Sequence, residues 1–327
     1  MAPRNLLALI QQQAALVNLH LDANETAALD RAFRHTEAQI QRVEYPELMH
    51  SMHIPLDTSI PEWAETVHYT AMDSVGSMKP IANFADDMPR TDVVLYEEEI
   101  PVKAWGGSYQ YSVEELMRAS APGGMQLDVQ RAIENRNVAE QQTDYTAWFG
   151  HAQFKIRGFA TNEMVEVLGT NADGGDYTWA AKIANGDTGK ESVLKDITDA
   201  LNAIVEDTKQ VHAGTDALLP TALYSLLQVT KLSSQSDATM LTWLKNNFPS
   251  VTFSSVPRLN TANAAGTGPR IVVYKKNPTI LQHKLPMSYR TFPPQAKNLA
   301  FVVNGMMRTA GTHIYRPKAV KYIDGAG

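Results

Sequence analysis

Residues 60–107 read IPEWAETVHYTAMDSVGSMKPIANFADDMPRTDVVLYEEEIPVKAWGG, with β-patterned runs at each end and Gly, Pro, Asp and Asn between them. Such a stretch closes on itself as a long two-stranded excursion, and two strands alone are marginal in water. A chain built this way has to lay the ribbon on something else. Three consecutive carboxylates, Glu97, Glu98 and Glu99, stand in the second run. Successive side chains of an extended chain point to opposite faces. Glu98 therefore shares a face with Val94, Tyr96, Ile100, Val102 and Ala104, and Glu97 and Glu99 share the other with Val93, Leu95, Lys103 and Trp105. Glycosidic hydrolysis needs two carboxyls converging on one bond from separate elements, one of them in a desolvating pocket. Two glutamates on one strand run parallel, so the triplet reads as an exposed segment whose charges meet solvent or a neighbouring chain.

The flanking sequence is organised around this excursion. Residues 1–55 read as an arm, with helical segments LLALIQQQAALVNL and ETAALDRAFRHTEAQIQRVEYP, Asn24 as N-cap and Pro46 as stop. Leu29, Ala32, Phe33, Thr36 and Ile40 make one narrow apolar stripe that needs a partner surface. Beyond the ribbon, Ser112 with Glu115 three residues on is a capping box, and APGG at 121–124 stops the helix it starts. A second helix is expected from Asp128 to Phe149, with Gly150 as its stop; its thin apolar face suits a strut lying on a sheet. Turn-rich sequence at 171–192 leads to a helix marked by Val193, Ile197, Leu201, Ile204 and Thr208. Helices TALYSLLQVTKL and ATMLTWLKNNF then alternate with strands SVTFSSV and RIVVYKK, as in a mixed α/β domain. The segment from Asn298 is mostly strand-like.

Sites of familiar chemistry fail at necessary positions. GDTGKES at 186–192 resembles the end of a phosphate-binding loop, but Ala184 and Glu191 stand where Gly and Ser or Thr are needed, so it reads as an exposed turn. GTGPRI at 266–271 has Ile271 in place of the third glycine of a dinucleotide fingerprint. His50 and His53 lack a third ligand at diagnostic spacing and read as surface or interface histidines. NADGGD lacks the closing Glu of a calcium loop, and no serine has a nucleophile-elbow context. Trp105, Trp148, Trp179 and Trp243 are expected to be packing anchors, because no basic residues interleave with them. The formal charge of -6 gives no general attraction to nucleic acid, and the absence of cysteine removes disulfides, thiolate nucleophiles and Cys-ligated metals, which fits synthesis in the cytosol. The run LLALI is too short for a signal-peptide core, and nothing later reaches membrane-spanning length. No cofactor, metal or membrane partner is expected.

An arm, a ribbon, a strut helix, a mixed domain and terminal strands, in that order, resemble the major capsid protein of tailed bacteriophages, the Hong Kong 97-type fold. The resemblance covers nearly the whole chain and rests on VEYPEL at 43–48, ADDMPRTDV at 85–93, WGGSYQYSVEEL at 105–116, the strut helix ending in AWFG, HKLPM at 283–287, FPPQ at 292–295 and the closing THIYRPKAVKYIDG. It implies an α+β fold divided into an N-terminal arm (1–55), an extended loop (56–104), a peripheral domain with a long spine helix (105–189), an axial domain (190–292) and C-terminal strands returning to the peripheral domain (293–327). The extended loop would reach a neighbouring subunit, with Trp63, Tyr69, Phe84, Glu97, Glu98, Glu99 and Lys103 as candidate contacts and Trp105-Gly106-Gly107 as the bend into the peripheral domain. The resemblance further implies no enzymatic activity. It implies hexamers and pentamers closing an icosahedral shell around phage dsDNA, bound without sequence preference. A portal, a decoration protein and, since no cleaved scaffolding segment is recognisable, a separate scaffolding protein would be its other partners. Assembly would take place in the host cytoplasm and end in the virion capsid. The Lys and Asn through which some relatives cross-link do not align here. The alternatives are an encapsulin-like compartment shell, against which the length of the arm argues, and a carboxylate-based hydrolase.

Overall fold

A computed structural model describes residues 48–80, 88–120, 127–171, 175, 177–233, 235–263 and 266–327. The arm expected over residues 1–55 falls outside them up to residue 47, as do Phe84 and the helix stop at 121–124. Residues 48–327 form one unit. It opens with a single helical turn, α1 (His50–His53), and a short strand, β1 (Leu56–Asp57). The two runs of the opening sequence are β2 (Thr66–Val75) and β3 (Asp92–Pro101), paired antiparallel from Thr66↔Pro101 to Val75↔Asp92 with no third strand among the described residues. At about 3.4 Å per residue the ribbon is roughly 34 Å long.

The chain breaks direction at Val102, whose amide donates to the Glu65 carbonyl at 2.8 Å, and continues as β4 (Lys103–Ser112). Trp105-Gly106-Gly107 are thus mid-strand and not a bend: they pair with Met307, Met306 and Gly305. Glycine is needed there for close approach, since a Cβ on Gly107 would sit 2.8 Å from Asn135 Oδ1 of the helix crossing the sheet. Ser112 caps α2 (Val113–Ala119): its Oγ accepts from the Glu115 amide at 3.1 Å, and the Glu115 carboxylate accepts from the Ser112 amide at 3.0 Å. The strut is α3 (Leu127–Phe149), about 35 Å long at 1.5 Å per residue. Gly150 ends it with φ +67°, in space where a Cβ would lie 2.3 Å from the Ile156 carbonyl oxygen.

Beyond α3 come β5 (Gly150–His151), β6 (Ile156–Arg157), β7 (Val167–Gly169), α4 (Trp179–Ala184) and α5 (Asp187–Asp207). GDTGKES is not the exposed turn expected but the first turn of α5: Gly186 takes the N-cap position at φ +90°, and Asp187 accepts from Lys190 at 3.0 Å. An acidic residue followed by Lys three positions on supports a helix start as readily as a loop. Then follow β8 (Asp216–Leu219), α6 (Thr221–Val229), α7 (Met240–Asn247), β9 (Thr252–Ser255) and β10 (Arg270–Tyr274). The remaining strands are β11 (Leu281–Lys284), β12 (Met287–Thr291), β13 (Gln295–Lys297), β14 (Ala300–Thr309), β15 (Gly311–Ile314) and β16 (Val320–Asp324).

The five-stranded sheet runs β7-β16-β10-β8-β9 and has a core on each face. Ala217, Leu219, Ile271, Val273 and Ile323 pack under α4 to α7, while Leu218, Val272, Tyr274, Val320 and Tyr322 face Trp148, Phe159 and Ile54. Strand β10 is buried at every residue, which explains the apolar run Ile271 to Tyr274; Arg270, at its start, is buried with its guanidinium paired to Asp324 at 2.6 Å. A second sheet has β14 at its centre, with β4 on one side and β12 and β13 on the other, and α3 lies across it. The sequence after residue 292 thus divides between sheets: β14 joins β4, and β16 enters the five-stranded sheet between β7 and β10. The C-terminal half of α3 is shared by both regions. Buried Asp144 accepts from the His50 amide (3.1 Å) and Nδ1 (3.2 Å) and from Arg258 Nε at 2.9 Å. His53 is buried against Trp148, and the His50 ring stands 5.8 Å from that of His283, so these histidines pack inside and are not surface groups. Among the described residues no cluster of three or more His, Asp or Glu is spaced to hold a metal, and no helix is long and apolar enough to cross a membrane.

Candidate assembly surface

Among the described residues, the contacts that fasten the ribbon to its own subunit lie at its root. Ile100, Val102 and Ala310 form a small buried cluster against which Val67 and Tyr69 pack. Glu98, the register partner of Tyr69, turns toward the body as strand alternation requires. Its carboxylate accepts from the Tyr69 hydroxyl and from the Arg157 guanidinium of β6, and its Oε2 lies 3.9 Å from His313 Nε2 of β15. The Tyr69 ring packs on those of His313 and Tyr315, with centroids at 4.7 and 5.1 Å. Burial would raise the Glu98 pKa, but Tyr69 and Arg157 outweigh it and hold the carboxyl below its ordinary value. Burial and the bond to Glu98 push the Tyr69 hydroxyl up, and burial drives the His313 imidazole down to about 4. The root is therefore an ionised acceptor held by neutral and cationic donors. It stiffens the angle at which the ribbon leaves.

The other candidates lie apart from this root. Glu97 and Glu99 are exposed on the opposite face, in register with Thr70 and His68. Lys103 is exposed at the start of β4, its ammonium 6.0 Å from the Phe154 ring. Trp63 is 80% exposed. Residues that sequence reading missed are Arg157, His313 and Tyr315, which meet the ribbon across long sequence separations and carry no local motif. Beyond the root the ribbon offers a large exposed apolar surface, with Met72 at 71%, Leu95 and Tyr96 at 60% each, Val75 at 58% and Val93 at 49%. Met72, Leu95 and Val93 share one face and Tyr96 and Val75 the other, and soluble surfaces rarely leave exposed apolar strips of this kind uncovered.

The family profile of the major capsid protein matches residues 76–326. The chain belongs to the major capsid protein family. No curated protein matches this capsid protein. Among solved structures it is similar to the capsid of Myoviridae phage XM1, with 18% identity, a TM-score of 0.77 and coverage of 90% of this chain and 97% of that one. The capsid of a native GTA particle matches at 11% identity and a TM-score of 0.61, covering 94% of this chain and 100% of that one. A virus-like particle from Pyrococcus furiosus matches at 12% identity and a TM-score of 0.51, covering 84% and 91%. The architecture of this capsid protein is thus the α+β Hong Kong 97-type fold, and the protein is one of the repeated subunits of a capsid shell.

Proposed function

We propose that the subunit assembles into hexamers and pentamers that close an icosahedral phage head around dsDNA, with the ribbon of each copy laid on a neighbour. The observation that carries this reading is the ribbon itself: two strands about 34 Å long, fixed at the root and apolar beyond it, without a third strand among the described residues. The reading assigns the β4–β14 sheet with α3 to the peripheral domain, the five-stranded sheet with α4 to α7 to the axial domain, residues 56–104 to the extended loop and residues 1–55 to the arm. A separate scaffolding protein, a portal, a decoration protein and assembly in the host cytoplasm belong to the same proposal. The role is structural and not enzymatic: Glu98 is committed to Tyr69 and Arg157, and Glu97 and Glu99 run parallel on an exposed face. Expression with the scaffolding protein, followed by negative-stain imaging and light scattering, should give closed shells or capsomers of five or six copies. A monodisperse monomer at high concentration would overturn the proposal.

A further inference from the structure

We propose that the ribbon face bearing Met72, Val93, Leu95, Glu97 and Glu99 is the one covered in the shell, and that its occupant is the body of a second copy of this chain. The inference rests on the shell reading above and adds which face is used and what it meets. At the root the opposite face is taken, because Ile100, Val67, Tyr69 and Glu98 pack on their own subunit. Among the described residues, the face of Glu97 and Glu99 is the one with no contact to the body along the paired strands. It carries an exposed apolar strip at mid-length, where Met72 and Leu95 are direct cross-strand partners and Val93 lies beside them on the same face. Cross-strand apolar neighbours of this kind make one continuous strip.

Charge decides the occupant. Residues 66–101 hold Asp73, Asp86, Asp87, Asp92, Glu97, Glu98 and Glu99 against Lys79 and Arg90, a net charge of -5. Residues 48–65 and 102–327 hold 23 Lys and Arg against 22 Asp and Glu, a net charge of +1. Residues 1–47 hold four Arg against six Asp and Glu, a net charge of -2. A ribbon stacked on another ribbon brings two strongly acidic strips together, and one laid on an arm fares little better. The body is the one part of a second copy that does not repel the ribbon. Glu97 and Glu99 then flank an apolar centre, the arrangement of a docking patch with a polar rim.

The absence of cysteine makes the test clean, because a single introduced thiol is the only one in this chain and the labelled band is identified by its mass. Leu95 and Tyr96 are adjacent, point to opposite faces and are each 60% exposed in the subunit. Leu95→Cys and Tyr96→Cys chains are assembled, and their reaction with a small maleimide is timed in shells and in dissociated subunits. The expected result is a roughly tenfold slowing in shells for Leu95→Cys and little change for Tyr96→Cys, as burial at an interface centre requires. If Leu95→Cys prevents assembly, Met72→Cys on the same face replaces it. The reverse order, equal reactivity at both positions, or protection of both would overturn the face assignment while leaving the shell intact. Failure of the unsubstituted chain to form shells would instead sink the reading on which it rests.

Discussion

Replacing residues 71–96 by Asn-Gly should leave a folded subunit that no longer closes shells. Thr70 and Glu97 are cross-strand partners, so a two-residue hairpin turn can join them and keep the Tyr69–Glu98 pair at the root. None of the described side chains removed belongs to a buried cluster, so the subunit should lose no more than about 1 kcal/mol. The assembled particle loses far more. Covering the face of Met72, Val93 and Leu95 removes a few hundred Å² of apolar surface from water, worth about 5–8 kcal/mol per contact at roughly 25 cal/mol per Å² before ordering costs. That loss recurs at every subunit. Thermal unfolding of the isolated subunit reads the first quantity, and electron microscopy after co-expression with scaffolding protein reads the second. Shells of normal size and heat stability would show that the ribbon joins no subunits. Outright unfolding would show that it belongs to its own subunit's core.

Glu97→Lys with Glu99→Lys should weaken assembly at low salt and recover as salt rises, with subunit melting unchanged, because both groups are exposed. Asp196, fully buried with Lys182, accepts from Lys182 Nζ at 2.6 Å, Trp179 Nε1 at 2.9 Å and the Asn171 amide at 2.8 Å. Asp196→Ala should cost about 3–5 kcal/mol in urea unfolding, whereas Lys182→Met with Asp196→Leu should recover most of it, since the double change leaves no unpaired buried charge. For pH, His283 and His313 have pKa values lowered by burial to about 3 and about 4, so each contributes stability present above about 6.5 and lost as pH falls toward the folded value. Acid titration should therefore show unfolding free energy declining below about pH 6.5, and His313→Gln should flatten the decline by a few kcal/mol by pH 4. An unchanged slope would contradict the buried neutral state.

Local signals carried much of the architecture into the sequence. The Ser112–Glu115 box, the stop at Gly150 and the strand within RIVVYKK each depend on neighbours within a few residues, and each appears where expected. Alternation likewise separated Glu98 from Glu97 and Glu99. It did not say which face is pinned, because that depends on Arg157 and His313, which reach the ribbon from other strands. Glycine misled at 105–107 because a flat close approach beneath α3 and a tight turn make the same demand for a missing Cβ. GDTGKES misled because a capped first helical turn shares its polar composition with a loop.

The position of β16 has a consequence for synthesis. Until residues 320–324 arrive, β7 and β10 are not joined, Tyr322 and Ile323 are missing from the two faces of the sheet, and neither core is closed. A nascent chain still lacking that strand can gather β8, β9 and β10 under their helices but cannot close the sheet face against which Trp148, at the end of α3, is buried. A chain truncated before Val320 should therefore leave both cores open and have no rigid platform to offer another copy.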